Sequence, residues 1–258
     1  MNDLTELEVR IDGRVAILTM DRPPVNATTR VLNDELTQAL DRIADDDEVR
    51  VVVLTGAGRV FCAGADLKGR GANIRGPGDL AAHARRTREC FHAVRECAKP
   101  VIAAINGAAL GSGLALAASC DVLFASDMAS LGLPEVDVGL FSGGRHAMRL
   151  FSHSRLRRMM LTGYRVAGPE LYRLGVIEEC TTPEDLLPKA LELALQIASK
   201  SPLSTRMGKH TLNVIEDISL RDGYRHEQDM TAAIAKTEDA QEAQLAFKEK
   251  RAPVFKGR

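Results

Sequence analysis

The sequence lacks the cysteine pattern of a disulfide framework. Its five cysteines, Cys62, Cys90, Cys97, Cys120 and Cys180, form no C-x-x-C pair and no metal-ligand spacing, which points to a reducing, cytoplasmic compartment. It lacks an excess of charge as well. The 34 Lys and Arg against 35 Asp and Glu leave a formal net charge of -1, too little basic bias to hold nucleic acid or an anionic membrane by global attraction. No apolar run reaches the length of a membrane span. Met1 to Met20 carries acidic residues and alternates polar with apolar, unlike a signal or transit peptide, so an untargeted protein is expected.

Several chemical signatures are also missing. There is no Gly-Lys-Ser/Thr phosphate loop, and Gly111-Ser112-Gly113 is not followed by a third glycine at dinucleotide spacing, so NTPase and Rossmann functions are disfavoured. His83, His92, His153, His210 and His226 show no H-E-x-x-H or similar spacing, and no metal is expected. Ser112 lacks the Gly-x-Ser-x-Gly elbow of a serine nucleophile.

What remains suits one globular domain, with or without a small appendage: 258 residues, 45% hydrophobic. Residues 8–20 read as a hairpin about Asp12-Gly13, because Val9, Ile11, Val15 and Ile17 alternate with polar or small neighbours. Leu36, Ala39, Leu40 and Ile43 recur at helical spacing, and short apolar runs at 50–55, 99–105 and 122–125 read as buried strands. Strands alternating with helices predict an α/β fold. Beyond about residue 152 the chain reads as helical, over 154–161, 169–174, 186–200, 203–217 and 240–250, with Thr182-Pro183 as a helix start. The glycine-rich stretch 69–78 reads as a surface loop.

Two glycine-bearing turns follow separate strands, one running through Phe61-Cys62-Ala63-Gly64-Ala65-Asp66-Leu67 and one through Asn106-Gly107 to Gly111-Ser112-Gly113. Small residues let a ligand approach backbone N–H groups, and the second turn opens a helix whose first N–H groups favour developing negative charge. Taken alone, such turns also serve tight packing.

The ordered set Arg22-Pro-Pro-Val-Asn26-Ala27, Phe61 to Leu67, Ala103-Ala-Ile-Asn-Gly107, Gly111-Ser-Gly113, Cys120-Asp121, Leu133-Pro-Glu135 and Gly139 resembles the crotonase (enoyl-CoA hydratase/isomerase) superfamily over nearly the whole chain. The resemblance implies a spiral of ββα units over 1–195 and a C-terminal helical region over 196–258 that mediates a homotrimer or a dimer of trimers. It implies an acyl-CoA substrate that brings its own CoA, with no separate cofactor. It places the thioester oxygen between the N–H groups of Ala65 and Ser112, Ser112 standing where a glycine is common. Glu135 matches a catalytic acid/base. Val25, Ala63, Asp66, Leu67 and Lys68 match positions that contact CoA, although Lys68 also fits an ordinary solvated lysine.

Two departures bear on the reaction. Ala115 stands where hydratases of the family carry a second catalytic glutamate, so the paired carboxylates that add water are incomplete. One carboxylate suffices to move a double bond, and isomerisation is therefore the favoured expectation. Gly143-Gly144-Arg145-His146 is the second departure: Arg145 and His146, with Asp137, are candidates for the acyl pocket, where they would support hydratase or lyase chemistry on a carboxylated acyl group. The alternatives are that both side chains face solvent, and that the chain is an idle CoA-binding or scaffold relative.

Overall fold

The computed structural model describes residues 3–67 and 75–258. Lys68 and most of the glycine-rich stretch therefore lie outside the described residues. Pro77 and Gly78, expected in that loop, instead begin a helix.

Two sheets carry the fold. Strands β1 (Leu7–Asp12) and β2 (Val15–Met20) form the expected hairpin, but Asp12 pairs with Val15, so its loop is Gly13-Arg14, one residue later than Asp12-Gly13 suggests. Gly13 supplies the positive φ, +58°, that this tight turn requires. The hairpin continues into β3 (Val51–Gly56), β5 (Val101–Ile105), β7 (Val122–Ser126) and β10 (Glu179–Thr181), giving the order β1-β2-β3-β5-β7-β10 with all pairs after the first parallel. The second sheet has the order β4-β6-β8-β9, from Val60–Cys62, Ala108–Leu110, Ser130–Gly132 and Arg165–Ala167, and only its last pair is antiparallel.

Each step of the chain adds one strand to each sheet and then a helix. β3 and β4 lead to helix α2 (Pro77–Glu96), and β5 and β6 lead to α3 (Ser112–Ser119). This is the ββα spiral that the resemblance implies. The preceding helix α1 (Arg30–Asp45) is capped by Thr29, which accepts from the Leu32 N–H at 3.0 Å, and it buries Leu32, Leu36, Leu40 and Ile43 on one face.

The apolar runs are buried on both faces of the large sheet, as parallel strands demand. Val52, Leu54, Ala103 and Ile105 face the core under α1 to α3, while Val51, Val53, Ile102 and Ala104 face Leu186, Ala190, Ala194 and Ala198. Those four belong to α7 (Pro183–Ala198), which starts at Thr182 as expected and repeats a small or apolar residue every fourth position. Residue 195 thus lies in the last turn of a helix still packed on the sheet.

Short helices α4 (Gly144–Ala147), α5 (His153–Thr162) and α6 (Gly168–Arg173) precede α7, and α8 (Pro202–Ile215), α9 (Leu220–Ile234) and α10 (Glu238–Glu249) follow it. The sequence pattern had not revealed α9, whose one buried residue is Gly223, nor the strands β9 and β10 in the helical half. Lys209 fastens α8 to the spiral: its ammonium is buried, lies 2.8 Å from Asp121 Oδ2, and donates to the carbonyls of Val94 and Lys99 at 3.2 and 3.1 Å. No helix among the described residues is long and apolar enough to cross a membrane.

Candidate active site

The C-terminal ends of β4, β6 and β8 lie side by side, and each opens into one of the turns singled out in the sequence. After β4, the Ala63 N–H donates to Val25 O at 3.0 Å, the Thr28 N–H to Gly64 O at 2.8 Å and the Asp66 N–H to Thr28 O at 3.0 Å. These bonds fix the backbone on both sides of Ala65, whose own N–H has no acceptor among the described residues. After β6, Gly111 has φ +54° and Ser112 is the first residue of α3, so its N–H has no partner within the helix. A Cβ placed on Gly64 would lie 3.9 Å from the Ser112 nitrogen. The two unpaired donors belong to turns in contact.

After β8, the chain forms a 3-10 turn, Pro134–Val138. It delivers Glu135 against the second turn so closely that a Cβ on Gly111 would sit 2.6 Å from Oε1. Glycine is required there for two reasons, the positive φ and the carboxylate. Glu135 Oε1 accepts from the Ser142 hydroxyl at 2.7 Å, while Oε2 is buried and has no donor among the described residues. Ala115 of α3 is 1% exposed.

These groups line one cavity of about 440 Å³, walled by Ala63, Ala65, Leu67, Ser112, Glu135 and Asp137, with Val138, Leu140 and Phe141 on its apolar side. Most of the residues expected to act together are therefore brought together. Val25 stands behind the wall, holding Ala63, and Asp66 is paired with Arg22 at 2.7 Å. Lys68 lies outside the described residues.

Arg145 and His146 do not line the cavity, contrary to their expected place in an acyl pocket. Arg145 is exposed and bonds Asp217 at 2.5 Å, a carboxylate just past the end of α8. His146 packs edge-on against Phe91 of α2, centroids 5.0 Å apart. Burial, reinforced by Arg149, His92, Arg145 and Arg95, holds its pKa below the ordinary imidazole value. Helix α4 turns these side chains toward α2 and α8, away from the β-strand ends.

Two polar lining residues escaped the sequence reading, Ser142 and Arg165, as did the apolar Val138, Leu140 and Phe141. Ser142 follows the apolar stretch Leu140-Phe141, and proximity to Glu135 was its one available signal. Arg165 had none, because it reaches the cavity through the pairing of β9 with β8, which sets it opposite Gly132. The cysteine beside the site, Cys62, is free and buried, and burial pushes its thiol up to about 11, so it stays a neutral packing group.

The family model described as enoyl-CoA hydratase/isomerase matches residues 10–258. The chain belongs to that family. Among relatives of this crotonase-family protein is 2,3-dehydroadipyl-CoA hydratase of Escherichia coli (strain K12), 36% identical over 99% of this chain and 100% of the relative. Carnitinyl-CoA dehydratase of Proteus mirabilis is 35% identical over 98% of each chain. The crystal structure of an enoyl-CoA hydratase from Bacillus anthracis superposes with a TM-score of 0.93 at 34% identity, covering 98% of this chain and 100% of that one. The crotonase fold expected from the sequence is thereby established, and with it an acyl-CoA enzyme of the hydratase/isomerase family.

Proposed function

We propose that this crotonase-family enzyme moves a double bond along an enoyl-CoA. The N–H groups of Ala65 and Ser112 hold the thioester oxygen. Glu135 takes a proton from C2 of a 3-enoyl thioester, negative charge collects on the oxygen as the dienolate forms, and the same carboxyl returns the proton at C4. Two preorganised donors stabilise that charge most where it is greatest, in the transition state. Val25, Ala63, Asp66, Leu67 and Lys68 are assigned to the CoA arm on the family resemblance.

One observation supports the choice of reaction: Ala115, which the family resemblance sets at the place of a second carboxylate, is a buried methyl, while Glu135 packs on Gly111. Conversion of a 3-enoyl-CoA to its conjugated 2-enoyl isomer, followed by absorbance, tests this. Its absence in folded protein refutes it.

A second reading, water addition to a 2-enoyl-CoA, is favoured by Asp137, a second carboxylate lining the same cavity, and by the hydratase and dehydratase names of the relatives. Hydration lost on Asp137→Asn would decide for it.

The homotrimer or paired trimers implied by the resemblance remain part of the proposal, supported by the exposed apolar residues Leu212, Leu220 and Tyr224 on α8 and α9.

A further inference from the structure

The four strands of the small sheet set out the site as a row. Ala65 follows β4, Ser112 follows β6, Glu135 follows β8, and Arg165 opens β9 at the same sheet edge, opposite Gly132. The proposed CoA contacts, Val25, Ala63, Asp66 and Leu67, cluster at the β4 end of this row. Arg165 is at the other end, two strand spacings or about 10 Å beyond the strand that leads to Ser112. A thioester held between Ala65 and Ser112, with its CoA arm leaving past β4, sends its acyl chain past Glu135 toward Arg165.

Arg165 lines the same cavity as Glu135 and makes no ion pair or hydrogen bond among the described residues. Residues 68–74, which are not described, contain no Asp or Glu, so they offer no counter-carboxylate. The arginine is aimed by its surroundings: a Cβ on Gly132 would lie 2.9 Å from Arg165 Cγ, so the side-chain stem lies directly over that glycine. The cavity's two carboxylates lie elsewhere: Glu135 accepts from Ser142, Asp137 sits against Gly163, and neither forms a salt bridge with Arg165 among the described residues. By contrast Arg145, the arginine that the sequence singled out, already has Asp217.

We propose that Arg165 is a specificity-determining residue that selects acyl-CoA thioesters whose acyl chain carries a second, distal carboxylate. The inference rests on the cavity being an acyl-CoA site but is indifferent to whether the reaction is isomerisation or hydration. A guanidinium matches a carboxylate with two parallel N–H donors, and one without a protein counter-ion is free to do so.

The test is calorimetric binding of two saturated thioesters of equal chain length, one with a terminal carboxylate and one with a terminal methyl, to the wild type, Arg165→Gln and Arg165→Lys. The expected result is a wild-type preference for the carboxylated thioester. That preference should fall about tenfold to a hundredfold in Arg165→Gln, the worth of a charge-assisted hydrogen bond, and by less in Arg165→Lys. Asp137→Asn, which removes a like charge from the cavity, should raise it. An equal loss for both thioesters would put the guanidinium on the CoA phosphates, and an unchanged preference would make it a solvated side chain. Either result overturns the proposal. Wild-type protein that binds neither thioester would refute the acyl-CoA site itself, whereas equal binding of both refutes only the role of Arg165.

Discussion

The hydroxyl of Ser142 donates to Oε1 of Glu135 at 2.7 Å, leaving Oε2 buried and without a partner among the described residues. A carboxylate tied at one oxygen is held in place, and its other oxygen keeps a lone pair that no donor among the described residues takes up. Glu135→Gln removes the base without changing shape and should lower turnover by about a hundredfold to ten-thousandfold. Ser142→Ala should lower kcat with little change in KM, because it loosens the aim of Glu135 and leaves the thioester contacts intact. Steady-state kinetics on both variants checks this, and a pure KM effect in Ser142→Ala would contradict it.

Gly111→Ala is expected to be more damaging than its size suggests. The added methyl meets Glu135 Oε1 at 2.6 Å and occupies a backbone at φ +54°, so it shifts both the carboxylate and the Ser112 N–H. Loss of one oxyanion donor is worth about 3–4 kcal/mol. Activity should fall by at least two orders of magnitude, on the order of that donor's worth, while circular dichroism reports a folded chain.

Lys209→Met strands Asp121. The ammonium lies 2.8 Å from a carboxylate whose pKa burial already pushes up, with Lys209 as the main force holding it down. Asp121 is partly exposed and keeps the Val101 N–H, so removing its partner costs about 1–3 kcal/mol, seen as a lowered urea midpoint. Joining Asp121→Asn to Lys209→Met should recover part of the loss, and an additive double mutant would show that the two groups are not coupled.

His146→Phe should leave turnover unchanged and improve stability in acid. The folded protein holds the imidazole pKa below 6.5, so below that pH the unfolded chain binds more protons at this residue and stability falls. A phenyl ring keeps the contact with Phe91 and removes the titration. Its advantage in Tm over the wild type should grow as pH drops below the imidazole's ordinary value, and a pH-independent difference would contradict the assignment.

Much of the fold was legible because it is written in local pattern. The strands β3, β5 and β7 are runs of apolar residues, α1 repeats its apolar face at helical spacing, and Thr182 announces α7. The small sheet was not legible. Its strands span three residues each, too few for alternation to show. Helix α9 buries little beyond Gly223, and Arg221, Asp222, Arg225, Glu227 and Asp229 break up its few apolar positions in the sequence. In the site, Glu135 and the two glycine turns were recognisable from ordered motifs, whereas Arg145 and His146 were misplaced because sequence adjacency to Gly143 says nothing of which way α4 turns them.

The amino-acid sequence by itself determined the α/β alternation and the family, and the family resemblance supplied the expectation of two backbone donors and one glutamate with Ala115 at the place of a second. The alternation follows from residue type and spacing within single segments, the resemblance from the order of short motifs along the chain. Only the tertiary structure decided which charges share the cavity: β9 pairs with β8 and carries Arg165 to the far end of the strand row, while α4 gives Arg145 to Asp217. Strand register and helix packing are set between segments remote in the chain, so the partner of each arginine is a property of the assembled fold.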